Sequence, residues 1–130
     1  MASSFELTDK VQRIADLLQA KGIGVTRNWW LKNYKTAFGE ISDEAWYGKG
    51  EVSWVSRENF EAIDRADALV LVCPDDSPRN FAGANVEVGY AIAKNKRVFS
   101  VGVLRRSAMY VPVEKHKSVE TLLPALERTH

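Results

Sequence analysis

The chain has 130 residues, 45% of them apolar and 27% charged, with 18 Lys and Arg against 17 Asp and Glu for a net charge of +1. That is the composition of one globular domain spanning residues 1–130, able to bury about two-thirds of the surface its unfolded chain exposes, and it excludes disorder. With no basic field to hold a phosphate polymer or an anionic membrane, neither nucleic acid nor membrane is an expected partner, and a single cysteine, Cys73, excludes an internal disulfide or a cysteine zinc cluster.

The longest unbroken apolar run, Ala68–Cys73, is far short of a membrane span. Met1–Lys10 has no apolar signal core. The expected setting is a soluble cytoplasmic domain.

Leu7, Val11, Ile14 and Leu18 share one helical face, which predicts a helix from Leu7 to Ala20, with Thr8 as its cap and Gly22 as its end. Gly24–Trp30 reads as a strand around Val25. Leu31–Val52, with Gly39, Gly48 and Gly50, reads as loop with some helix. Trp54–Arg65 fits a second helix, capped by Ser53, with Phe60 and Ile63 turned inward. Ala68–Cys73 is continuously apolar rather than alternating, the pattern of a strand covered on both faces in a parallel sheet.

Pro74–Phe81 is a turn-rich loop, Gly83–Asn95 a third helix and Arg97–Val103 a further strand. Ala108–Val113 reads as a last strand, placed at an edge because Pro112 removes a ladder donor. Ser118–Leu126 closes the chain as a helix capped by Ser118, with Leu122, Leu123 and Leu126 inward. Alternating strands and helices predict an α/β fold: an open, mostly parallel, doubly wound Rossmann-like sheet with helices on both faces. Its first strand is short or truncated, because only Met1–Phe5 precede the first helix.

In such sheets ligands bind beyond the carboxyl ends of the strands. Ser3, Ser4 and Phe5, Asn28–Trp30, the loop after Cys73 and the start of the third helix all reach that edge. Glu87 falls in or near the first turn of the third helix, where the dipole keeps a carboxylate ionised. On spacing alone it reads either as an acid complementing that dipole or as a nucleophile facing a cleft. Gly83 lets backbone approach a ligand and Gly89 lets the helix pack tightly.

Asp67-Ala-Leu-Val-Leu-Val-Cys73, followed by Gly83-Ala-Asn-Val-Glu87-Val-Gly89-Tyr90-Ala91 and the basic turn Lys94–Arg97, resembles the nucleoside 2-deoxyribosyltransferase-like family, which includes nucleoside-monophosphate N-glycosidases. Ala2–Phe5 is similar to the end of that family's first strand and its substrate loop, and Ser118–Leu126 to its terminal helix.

The resemblance implies cleavage or transfer of the N-glycosidic bond of a (deoxy)nucleoside or nucleoside 5′-monophosphate through a covalent glycosyl-Glu87 intermediate. It gives Asp67 an assisting role, and no cofactor or metal is needed. Ser3, Ser4, Phe5, Gly83 and Asn85 are the implied sugar or phosphate contacts. It also implies a homo-oligomer, dimer or larger, with Tyr110 or its neighbours reaching a partner's site. Six residues before the glutamate, where the family carries an acid or a serine, this chain has Phe81; Asp75, Asp76, Ser77 and Asn85 are candidate substitutes.

Seven of the 13 aromatic residues, including all four tryptophans, lie between Trp29 and Trp54. They suit either stacking on a nucleobase, with Trp30 and Trp46 as the base-facing pair, or a satellite core or subunit interface. With only His116 and His130 present, a Ser-His-Asp site would rest on His116 alone. Asp75-Asp76 lacks the third acid of a magnesium site, and Cys73 ends a buried strand, where a thiol is inert. A nucleoside- or nucleotide-acting enzyme is therefore weighed against a non-catalytic nucleotide-sensing module on the same scaffold.

Overall fold

The fold is taken from a computed structural model, which describes residues 1, 3, 7–25, 53–76, 78 and 82–128. In chain order the elements are α1 (Thr8–Ala20), α2 (Ser53–Arg65), β1 (Ala68–Val72), α3 (Ala82–Ala93), β2 (Arg97–Val101), a 3-10 turn (Ala108–Tyr110), β3 (Val113–His116) and α4 (Val119–Glu127). The three strands form a parallel sheet in the order β1-β2-β3, with Ala68 opposite Arg97 and Val98 opposite Val113. This is the expected open α/β architecture.

Side-chain alternation along β1 divides the core. Val70 and Val72, with Phe99 and Val101 of β2, meet Val11, Ile14 and Leu18 of α1 and Leu122 and Leu126 of α4. Leu69, Leu71 and Cys73 meet Ile63 of α2 and Ala84, Val88 and Ala91 of α3 on the opposite face. Helices cover both sides, which is why the run is apolar without interruption.

The ends of the helices carry two corrections and one confirmation. Thr8 is the first helical residue of α1 and Leu7 holds the cap position, with no side-chain cap hydrogen bond; Leu7 packs on the core, so packing rather than a hydroxyl sets this start. Ser53 likewise begins α2 from inside the helix. Gly22 ends α1 as expected: at φ 79° it lets its own N–H reach Gln19 O and the Ile23 N–H reach Leu18 O, both at about 3 Å. Asn95, at φ 59°, ends α3 in the same way, with its N–H on Ile92 O and that of Lys96 on Ala91 O.

The last strand begins later than the sequence suggests. Ala108–Tyr110 is a 3-10 turn whose Met109 N–H is capped by Ser107 Oγ. Pairing starts only at Val113, after Pro112, which has no N–H to offer β2. Among the described residues β3 lies at an edge of the sheet, as expected. Ile23–Val25 has no regular structure, and the remainder of the strand expected at Gly24–Trp30 lies outside the described residues.

Candidate active site

The carboxyl end of β1 is where the chain start, α1 and the loop toward α3 converge. Ser3 Oγ donates to Val72 O at 2.7 Å, which brings Ser3 to the sheet edge expected for it. Lys10 reaches across from α1, donating to Cys73 O and, at 2.7 Å, to Asp75 Oδ1. Asp75, a candidate substitute for the missing acid, is thus committed to an ion pair that pins the loop. Gly102 follows β2 at φ 103°, where a Cβ would stand 2.5 Å from Cys73 O and 2.8 Å from Pro74 O. Only glycine fits this crossing of backbones. Neither Lys10 nor Gly102 carries a local sequence signal; their partners lie far along the chain.

Glu87 is the sixth residue of α3, in its second turn rather than its first. The field of the helix end falls off within one turn, so the support expected from it is small. A side chain replaces it: Asn59 of α2 donates its amide Nδ2–H to Glu87 Oε1 at 3.1 Å, and Glu87 is half-buried between the two helices. Asn59 Oδ1 is buried and has no hydrogen-bond partner among the described residues.

The sequence reading missed Asn59. The available signal was an amide four residues before Ile63, on the inward face of α2, where a buried polar group requires a partner. The Met1 amino group also lies near Glu87. Burial pushes its pKa below the usual 8.0, and the Glu87 carboxylate pulls it partly back.

The other expected residues are distributed around this pair. Gly83, one turn before Glu87, is exposed, with nothing within 4 Å of where a Cβ would stand. Gly89 is equally open; the close packing expected of it is made by Ala84, Val88 and Ala91 instead. Asn85 is exposed and accepts a hydrogen bond from Tyr110 OH; two residues from Glu87, it points to another side of α3. Tyr110 is buried in its own chain's core, while its neighbours Met109 and Val111 are exposed.

Asp67 stands past the end of α2 at the amino end of β1, in the wall of a groove that Glu87 does not line. Ser4, Phe5, Trp30 and Trp46 lie outside the described residues.

The competing chemistries fare as follows. The Cys73 thiol is fully buried and pushed up to about 11 by that burial, against the opposing pull of Lys10, and a neutral thiol is a poor nucleophile. His116 pairs through Nδ1 with Thr121 Oγ1 at 2.9 Å, on the edge strand β3. No group of three metal-ligating side chains occurs among the described residues, and no helix among them is long and apolar enough to cross a membrane.

The family model described as nucleoside 2-deoxyribosyltransferase matches residues 3–123. No curated protein and no solved structure matches the chain.

Proposed function

Because the chain belongs to the nucleoside 2-deoxyribosyltransferase family, we propose that it cleaves or transfers the N-glycosidic bond of a nucleoside or nucleoside 5′-monophosphate with Glu87 as the nucleophile. Membership supports N-glycosyl transfer on nucleosides. The observation that carries the residue assignment is the Asn59–Glu87 hydrogen bond, which fixes a half-buried carboxylate between two helices. An amide N–H donated to a carboxylate favours its charged, nucleophilic form.

In the first step a Glu87 oxygen bonds to C1′ as the C1′–N bond breaks, its electron pair leaving with the base, which takes a proton from solvent. In the second, water or an acceptor base attacks C1′, gives up a proton, and returns Glu87 as carboxylate. The sugar keeps its anomeric configuration after two inversions. Asn59, rather than Asp67, is the positioning residue in this reading. Ser3 and Gly83 remain proposed sugar or phosphate contacts, and Trp30 and Trp46 the proposed base-facing pair. The carboxylate, its orientation and the leaving base suffice without a cofactor.

The test is incubation with deoxynucleosides, ribonucleosides and their 5′-monophosphates, following release of free base. Release that falls at least about a thousandfold in Glu87→Gln supports the assignment. In Asn59→Ala, kcat falls more than KM rises. Nucleotide binding without release, equal in wild type and Glu87→Gln, would overturn the proposal in favour of a sensing module.

A further inference from the structure

Only Asn85, Glu87 and Tyr90 bring hydrogen-bonding side chains to α3, and each ties the helix to another element. Asn85 accepts from Tyr110 OH, Glu87 accepts from Asn59, and Tyr90 OH donates to Asp64 Oδ1 at 2.8 Å. The last two bonds both run to α2. Otherwise α2 meets α3 through apolar side chains, Ile63 in one cluster with Ala84, Val88 and Ala91. Apolar attraction has no direction, so the polar and aromatic contacts carry the register of the two helices.

Those contacts advance together along α2 and α3. Asn59 meets Glu87. Next to it, Phe60 lies against the Tyr90 ring, with centroids 4.5 Å apart and 31° between the planes. One turn further, Asp64 takes the Tyr90 hydroxyl. Glu87 and Tyr90 are three positions apart on α3, and Phe60 and Asp64 four apart on α2, so each pair shares a helix face.

Asp64 is itself held. Lys94 Nζ stands 4.0 Å from its carboxylate and 5.5 Å from the centre of the Tyr90 ring, and Lys96 Nζ donates to its carbonyl at 3.1 Å. Donation to Asp64 is the chief reason the Tyr90 phenol has a pKa above the usual 10.0, so the donor keeps its proton throughout the neutral range. Any slide of α3 along α2 strains all of these contacts together. The Asn59–Glu87 bond already spans 3.1 Å, which leaves a tolerance of about half an ångström before it is lost.

We propose that Tyr90 is a second positioning residue for the Glu87 carboxylate: through Phe60 and Asp64 it locks the helix register that sets Glu87 against Asn59. The inference rests on the glycosyl reading, in which Glu87 is the nucleophile, and adds a residue that acts through the Asn59–Glu87 pair.

Tyr90→Phe deletes the hydroxyl and keeps the ring on Phe60. kcat for base release falls at least about fivefold while KM changes less than about twofold, the split expected when a reacting group is displaced and substrate still binds. Asp64→Ala gives the same loss. Asp64→Asn keeps an oxygen that accepts the hydroxyl and retains at least about half of the wild-type kcat. Tm falls by less than about 5 °C in each variant. In an Asn59→Ala background, Tyr90→Phe changes kcat less than about twofold, because the contact it serves is already gone. A loss as large in that background as in the wild type overturns the proposal, and so does an unchanged kcat.

A readout without turnover separates this inference from the reading beneath it. In isotope-labelled protein the side-chain amide signal of Asn59, identified by its loss in Asn59→Ala, moves in Tyr90→Phe and stays in place in Asp64→Asn. Movement in a chain that releases no base supports the register role while overturning the glycosyl reading. Base release that requires Glu87, with the signal unmoved by Tyr90→Phe, overturns the register role alone.

Discussion

β3 closes one side of the sheet with Val113-Glu-Lys-His116, in which Val113 alone is buried and Glu114 is paired with Arg97 at 2.9 Å. Among the described strands β1 is the other outermost one, Ala68-Leu-Val-Leu-Val72, in which every residue but Ala68 is buried. Charged side chains and a preceding proline are the usual means of blunting an exposed edge; β3 has both and β1 neither. The difference teaches that β3 is an edge by construction, whereas β1 is written as an interior strand. The contacts without a local sequence signal, Lys10 on Cys73 O and the crossing at Gly102, gather at the end of β1.

Substitutions at the two strands sharpen this contrast. Leu71→Ala removes a fully buried side chain from β1 and is expected to cost about 2–5 kcal/mol in denaturant unfolding. Gly102→Ala forces a Cβ against two carbonyl oxygens behind β1 at a positive φ; the expected loss is about 3 kcal/mol by the same measurement. Glu114→Ala, which breaks a half-exposed ion pair on β3, costs less than about 1 kcal/mol, and 1 M salt erases most of that. A loss at Glu114 as large as that at Leu71 would break the comparison.

Smaller effects test the surroundings of β1. The Met1 amine binds its proton less readily in the folded chain than at its usual 8.0. Between the folded value and 8.0 the unfolded chain carries the extra proton, so stability rises with pH in that window and levels off above it. Acetylating the amine flattens this rise, which urea titrations across pH 6–9 measure. The Cys73 thiol, raised from 9.0 to about 11, is expected to react with iodoacetamide at pH 8 about a hundredfold more slowly than the same cysteine in the unfolded chain. Rapid alkylation in the native state would show that the β1 core opens.

Much of the fold was legible because helix and strand periods are local. Val11, Ile14 and Leu18 fall on one stripe and are buried together, and the apolar run forms the strand Ala68–Val72 with helices on both faces. The misreadings occurred where a through-space contact overrode a local preference. Leu7 packing sets the start of α1 in place of Thr8, and the missing N–H of Pro112 delays β3. Glu87 was legible as a residue but not in its setting, since its support comes from Asn59 rather than from the helix end.

By itself the sequence determined that this is a parallel α/β chain with a glutamate on the helix after its most apolar strand, because burial on two faces and helical spacing are both written in the order of neighbouring residues. What the order of neighbours left open, the tertiary structure settles: which side chain holds that glutamate and which glycine two carbonyls exclude from having a Cβ. Each of these depends on groups distant in sequence meeting in space, and residue order fixes which face of an element is apolar without fixing what lies beside it.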